Sequence, residues 1–97
     1  MKIPVTSRFP LKIILDHYKR RTPCIDCGNN YPAECMEFDH LPQFKKEVNI
    51  SRLCHDGNVG RLRVELKKCQ LVCANCHRVR TRLRRIEATA RVTDIEF

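Results

Sequence analysis

The chain has 97 residues, 42% of them hydrophobic and none of them tryptophan. So short a chain buries only a small core, and an added covalent or metal staple is expected. The net charge of +8 points to a polyanionic partner without naming any chemistry. The count of seven cysteines is odd, which argues against a closed disulfide framework. No signal-peptide pattern opens the chain, and no apolar run reaches membrane-spanning length. The expectation is a reducing, cytoplasmic setting, where paired cysteines bind metal more often than each other.

In chain order, residues 1–9 read as an extended arm and Pro10 as the first position of a helix. Leu11, Ile14, Leu15 and Tyr18 are spaced for one apolar stripe on that helix, and His17 falls off it as a solvated residue. Lys19, Arg20 and Arg21 suit the negative end of the helix dipole, and Pro23 stops it. Cys24-Ile25-Asp26-Cys27-Gly28 then predicts a tight knuckle, with Gly28 in a left-handed turn. Cys35 to Leu41 predicts a short strand closed by Pro42. Residues 43–60 are poorly patterned and read as loop, with some helical turn around Ile50 to Leu53. Asn58 predicts a helix cap, followed by a helix to about Lys68 with Leu62 and Leu66 facing inward. Gln70 to Val72 predicts a second strand. Beyond it, Val79, Leu83, Ile86 and Ala90 recur as the seam of an amphipathic helix. Residues 91–97 form a tail without pattern, and the whole chain reads as one domain.

The pair Cys24/Cys27 is matched by Cys73/Cys76, and two such pairs are a strong signal for zinc. Two residues between thiols let one turn of backbone present both sulfurs to a tetrahedral ion. Four thiolates close the site, which marks it as structural. Cys35, Cys54 and Cys69 have no comparable spacing and read as buried free thiols, in preference to a second ion held by Cys54, His55 and Cys69.

The segments CIDCG, EFDHLP and KKCQLVCANCHRVRT, in this order, resemble the four-cysteine branch of the HNH endonucleases of phages and bacteria. The resemblance covers roughly residues 24–83. It implies a small α+β fold with a ββα-metal core, in which a two-stranded ribbon and a helix grip one divalent ion beside the structural zinc. It further implies that Asp39 and His77 bind that ion and that His40 is the general base. The family's middle asparagine falls on Lys68 here, and Thr81 stands where some members have another metal-binding histidine. The chemistry is coherent on its own terms. An imidazole can take a proton from water at neutral pH, and a carboxylate with an imidazole leaves coordination positions open for phosphate oxygens. Carboxylate ligation favours Mg²⁺ or Mn²⁺, while imidazole widens the choice to Co²⁺ or Ni²⁺. Neighbours on a regular strand face opposite sides, so Asp39 and His40 share a site only if the strand twists or ends there.

Arg78, Arg80, Arg82, Arg84 and Arg85 follow His77 with no acid before Glu87. That run predicts phosphate contacts with DNA and little reading of bases, with Arg80 and Arg84 on the face of His77. The leading expectation is a divalent-metal-dependent DNA endonuclease acting as a monomer or homodimer, without a membrane partner. By family analogy its role would lie in phage packaging or recombination. The competing expectation is a non-catalytic zinc module that binds DNA or RNA, kept in play by Lys68.

Overall fold

The architecture is described by a computed structural model that covers residues 11–90. The expected arm at 1–9, Pro10 and the tail at 91–97 lie outside the described residues. Helix α1 spans Leu11–Arg21 and buries Leu11 and Leu15, with Ile14 and Tyr18 half-buried beside them. A single 3₁₀ turn at Ala33–Cys35 leads into strand β1, Met36–His40. Helix α2, Ile50–Asp56, and helix α3, Val59–Leu66, follow as a pair. Strand β2, Cys69–Cys73, runs directly into helix α4, Ala74–Ala90. The described residues thus form a small α+β fold with four α-helices and one two-stranded antiparallel sheet.

Several local expectations match. Asn58 caps α3, its side-chain oxygen accepting from the Arg61 backbone N–H at 3.1 Å. Leu62 is fully buried and Leu66 packs beside it. Helix α2 is longer than the single turn expected near Ile50 to Leu53. Leu53 belongs to the cluster of Leu11, Leu15 and Leu62, Ile50 and Cys54 pack against it, and Gly57 ends the helix in the left-handed region at φ 69°. A two-turn element is too short to show its period in sequence, and tertiary burial decides it.

Two apolar clusters meet at the ribbon. One joins Leu11, Leu15, Leu53 and Leu62 across α1, α2 and α3; the other joins Cys24, Met36, Leu71, Val72 and Cys73 around the knuckle. Phe38 touches both, and its ring stacks on Tyr18 with centroids 6.2 Å apart. In the register Asp39 pairs with Gln70 and His40 with Cys69.

Two expectations are corrected. The seam Val79, Leu83, Ile86 and Ala90 is exposed on α4, which buries no residue completely. The helix turns Cys76, His77, Arg80, Thr81 and Arg84 towards the ribbon instead. Cys35 is exposed, and Cys54 and Cys69 are only half-buried. Among the described helices none is long and apolar enough to cross a membrane.

Candidate metal centre and the carboxylate–imidazole site beside it

The first knuckle is folded by its own backbone. The Gly28 N–H donates to the Cys24 carbonyl at 2.8 Å and the Cys24 N–H to Asn29 at 2.9 Å, with Gly28 at φ 76°. The Ile25 N–H then donates to Leu71 on β2 at 3.1 Å, which sets this knuckle against the second one. Cys73 ends β2 and Cys76 lies in the first turn of α4, where the Cys76 N–H donates to the Cys73 sulfur at 3.4 Å.

The result is that the Sγ atoms of Cys24, Cys27, Cys73 and Cys76 all lie within 4.8 Å of one another. Zinc–thiolate bonds of ~2.3 Å in a tetrahedron separate the sulfurs by about 3.8 Å, so four donors of this kind fit one such ion. The electrostatics agree. Burial opposes ionisation of Cys24, but backbone N–H groups of Cys27, Cys73 and Asp26 outweigh it and bring its pKa to about 6. Cys76 goes the other way, to about 12, chiefly because its thiol hydrogen-bonds to the Cys73 sulfur, with burial adding to the rise. Four thiols cannot all ionise side by side without a cation among them. The four cysteines therefore form a cluster that could hold a metal ion such as zinc. Among the described residues no other cluster of this kind forms, so the second ion on Cys54, His55 and Cys69 is not supported. The Cys69 thiol donates to the Glu65 carbonyl at 3.3 Å, and His55 meets Asp56.

Beside this cluster, Asp39 on β1 faces His77 on α4, with Oδ1 and Nε2 3.3 Å apart. The other ring nitrogen, Nδ1, lies 3.2 Å from Glu37 Oε2. Glu37 was not singled out from the sequence, although it stands two residues before Asp39 and so shares its strand face. A carboxylate behind the far nitrogen is the usual outer support of a metal-binding imidazole. At 3.3 Å the Asp39 carboxylate and the His77 ring are in direct polar contact. Thr81 turns aside, its hydroxyl donating to the His77 carbonyl at 3.1 Å.

The same carboxylate is also clamped by two arginines. Arg84 donates to Oδ1 at 3.0 Å and to Oδ2 at 2.7 Å, and Arg80 donates to Oδ2 at 2.9 Å. Asp39 is only 3% exposed; burial works against its ionisation, yet Arg84 and Arg80 outweigh it and hold the carboxyl below its usual range. Arg80 further grips both oxygens of Asp26 at 2.6 and 2.7 Å and Gln70 at 2.9 Å. Arg80 and Arg84 are thus drawn inward to carboxylates, on the face of α4 that carries His77. Arg78, Arg82 and Arg85 remain on the exposed flank.

His40 points to the other side of the ribbon. Its Nε2 lies 3.1 Å from Glu65 Oε2 on α3, and no described hydrogen bond or ion pair links it to Asp39 or His77. Glu65 is 2% exposed and is gripped in turn by Lys68, whose Nζ also donates to the Lys45 carbonyl at 2.9 Å. The Lys68 contact holds the Glu65 carboxyl below its usual range, against burial and with help from His40. Glu65 is a second residue missed in the sequence, since 25 positions separate it from His40. Strand β1 stays regular through His40, so the alternation that separates neighbours holds. The structure therefore brings together Asp39 and His77 and sends His40 elsewhere. Comparison with known proteins adds no relative: no protein-family profile, no curated protein and no solved structure matches the chain.

Proposed function

We propose that the chain is a zinc-stapled, divalent-metal-dependent endonuclease of the HNH type that hydrolyses DNA phosphodiester bonds. One observation carries this reading: Asp39 Oδ1 and His77 Nε2 meet at 3.3 Å, with the far side of the imidazole backed by Glu37. That is the arrangement expected of two ligands and an outer support, built where a ribbon runs into a helix. Asp39 and His77 would hold a Mg²⁺ or Mn²⁺ ion, which when bound neutralises phosphate charge and stabilises the leaving oxygen. His40 is the base this reading requires; it lies across the ribbon with Glu65 on its Nε2, so its ring would have to turn to the side of Asp39 and His77 before it could accept the proton of the attacking water. Arg78, Arg82 and Arg85 offer backbone contacts of low sequence preference.

A second reading is favoured by a specific observation. Both oxygens of Asp39 are already bonded to guanidinium groups and His40 lies across the ribbon, which suits a non-catalytic zinc module that binds nucleic acid. Supercoiled plasmid incubated with Mg²⁺ or Mn²⁺ separates the two. The nuclease reading expects nicking that Asp39→Ala and His77→Ala abolish while zinc content stays at wild-type level. Retained DNA binding without cleavage in any metal would leave the binding module as the function.

A further inference from the structure

Asp39 carries two incompatible assignments. Its Oδ1 would share a cation with His77 Nε2, yet Arg84 Nη1 lies 3.0 Å from that same oxygen. The fork of Arg84 takes both oxygens of the carboxylate, and Arg80 adds a third charged donor. The Arg80 charge is matched by Asp26, but the Arg84 guanidinium holds the very oxygen that a divalent ion would share with His77, so the two compete for it.

The two arginines are not equally held. Arg80 has other anchors in Asp26 and Gln70 and would keep its place if Asp39 were otherwise engaged. Arg84 has Asp39 alone as its charged partner among the contacts described for it, and its side chain is 36% exposed. It sits one helical turn from Arg80 on α4, and the exposed Arg85 is its immediate neighbour. A phosphate arriving on that flank would offer the Arg84 fork an equivalent pair of oxygens.

We propose that Arg84 is a latch on Asp39, closed in the free protein and drawn off by a phosphodiester, so that metal loading and nucleic-acid binding promote each other. This rests on the nuclease reading, because it takes Asp39 and His77 as the ligands. It deepens that reading by making the ion a late arrival that enters only with substrate in place. Reciprocity follows from thermodynamics: whatever factor the duplex adds to metal affinity, the metal adds to duplex affinity.

The test uses the full zinc-loaded chain and Mn²⁺ as the probe. Binding is read locally, from paramagnetic broadening of the His77 ring resonances during a Mn²⁺ titration. Wild type, Arg84→Ala and Asp39→Asn are each titrated alone and with a short phosphorothioate duplex that resists cleavage. Without duplex, Arg84→Ala should bind Mn²⁺ at least about tenfold more tightly than wild type, the scale of one charge-assisted hydrogen bond. The duplex should tighten Mn²⁺ binding to wild type by a similar factor and to Arg84→Ala much less. Equal Mn²⁺ affinity in wild type and Arg84→Ala, or equal gains from duplex in both, overturns the latch while leaving Asp39 as a ligand. Broadening that persists undiminished in Asp39→Asn, or that appears in no protein, overturns the nuclease reading and the latch together. Arg84→Gln, which keeps a donor and loses the charge, is titrated in parallel and should fall between wild type and alanine. An Arg84→Gln affinity at or below wild type counts against the latch even if the alanine variant fails to fold.

Discussion

Replacing Arg80 with alanine tests whether this side chain faces the protein or a phosphate. In the fold Arg80 ties four parts together: α4 through its own backbone, the first knuckle through Asp26, and the two strands through Asp39 and Gln70. Its side chain is 18% exposed against 34% for Asp26 and 3% for Asp39, so solvent screens the Asp26 pair more. A hydrogen bond to a charged group contributes about 1.5–3 kcal/mol, and the half-wet Asp26 contact falls at or below the lower end. Asp39 keeps Arg84 and His77, so the deletion does not leave a buried charge without a partner. A net loss of about 2–3 kcal/mol follows, against total stability of ~5–10 kcal/mol for a small domain. With a urea m-value of ~1 kcal/mol per molar, the unfolding midpoint should fall by about 2–3 M. The measurement is urea unfolding at fixed free zinc, because bound zinc adds to stability by mass action. Asp26→Asn, which keeps the acceptor oxygen, should lose about 1 kcal/mol, and exposed Arg78→Ala should stay within about 0.5 kcal/mol of wild type. Arg78→Ala should instead weaken DNA binding and lower its salt slope by ~0.9. If Arg80→Ala is as stable as Arg78→Ala, or loses salt slope in the same way, the inward role of Arg80 is refuted.

Elemental analysis of purified protein should give one zinc per chain, and a strong chelator should unfold it, since metal-binding energy here is folding energy; a folded, metal-free sample would contradict the cluster's role. His40→Ala should lower plasmid cleavage by ~10²–10⁴-fold at unchanged zinc content, with Glu65→Gln milder because it keeps an acceptor for Nε2. Cleavage by His40→Ala at the wild-type rate removes it from the chemistry. In the zinc-loaded protein at about pH 8, an alkylating reagent should label exposed Cys35 first. Of the three cysteines outside the cluster, Cys69 should label last, because burial, aided by Glu65 and Asp39, pushes its pKa up to about 11. A raised thiol pKa also means that its share of stability is intact below the unfolded value of ~8.5 and is lost as pH climbs towards about 11. Mass spectrometry of labelled peptides decides the order, and equal rates at Cys35 and Cys69 would refute it.

Local chemistry was enough for much of this protein. The repeated Cys-x-x-Cys spacing located the four-thiol cluster, because each pair is presented by one turn of backbone whatever the rest of the chain does. The α1 stripe, the Asn58 cap and both strands followed from short-range periodicity and capping in the same way. What only the tertiary structure decided involves partners far apart in the chain. Arg80 and Arg84 sit in a run with no nearby acid, and that run reads as a surface until folding brings Asp26 and Asp39 across 54 and 45 positions to meet it. That pairing also reversed α4, turning Arg80 and Arg84 inward and its apolar seam outward, because a buried carboxylate demands a charged partner more strongly than three aliphatic side chains demand burial. Glu37 and Glu65 acquired their histidines for the same reason, through a strand register and a helix packing that no spacing rule encodes. The strand alternation that separates Asp39 from His40 was legible from the outset; which side each would face depended on where α3 and α4 came to rest.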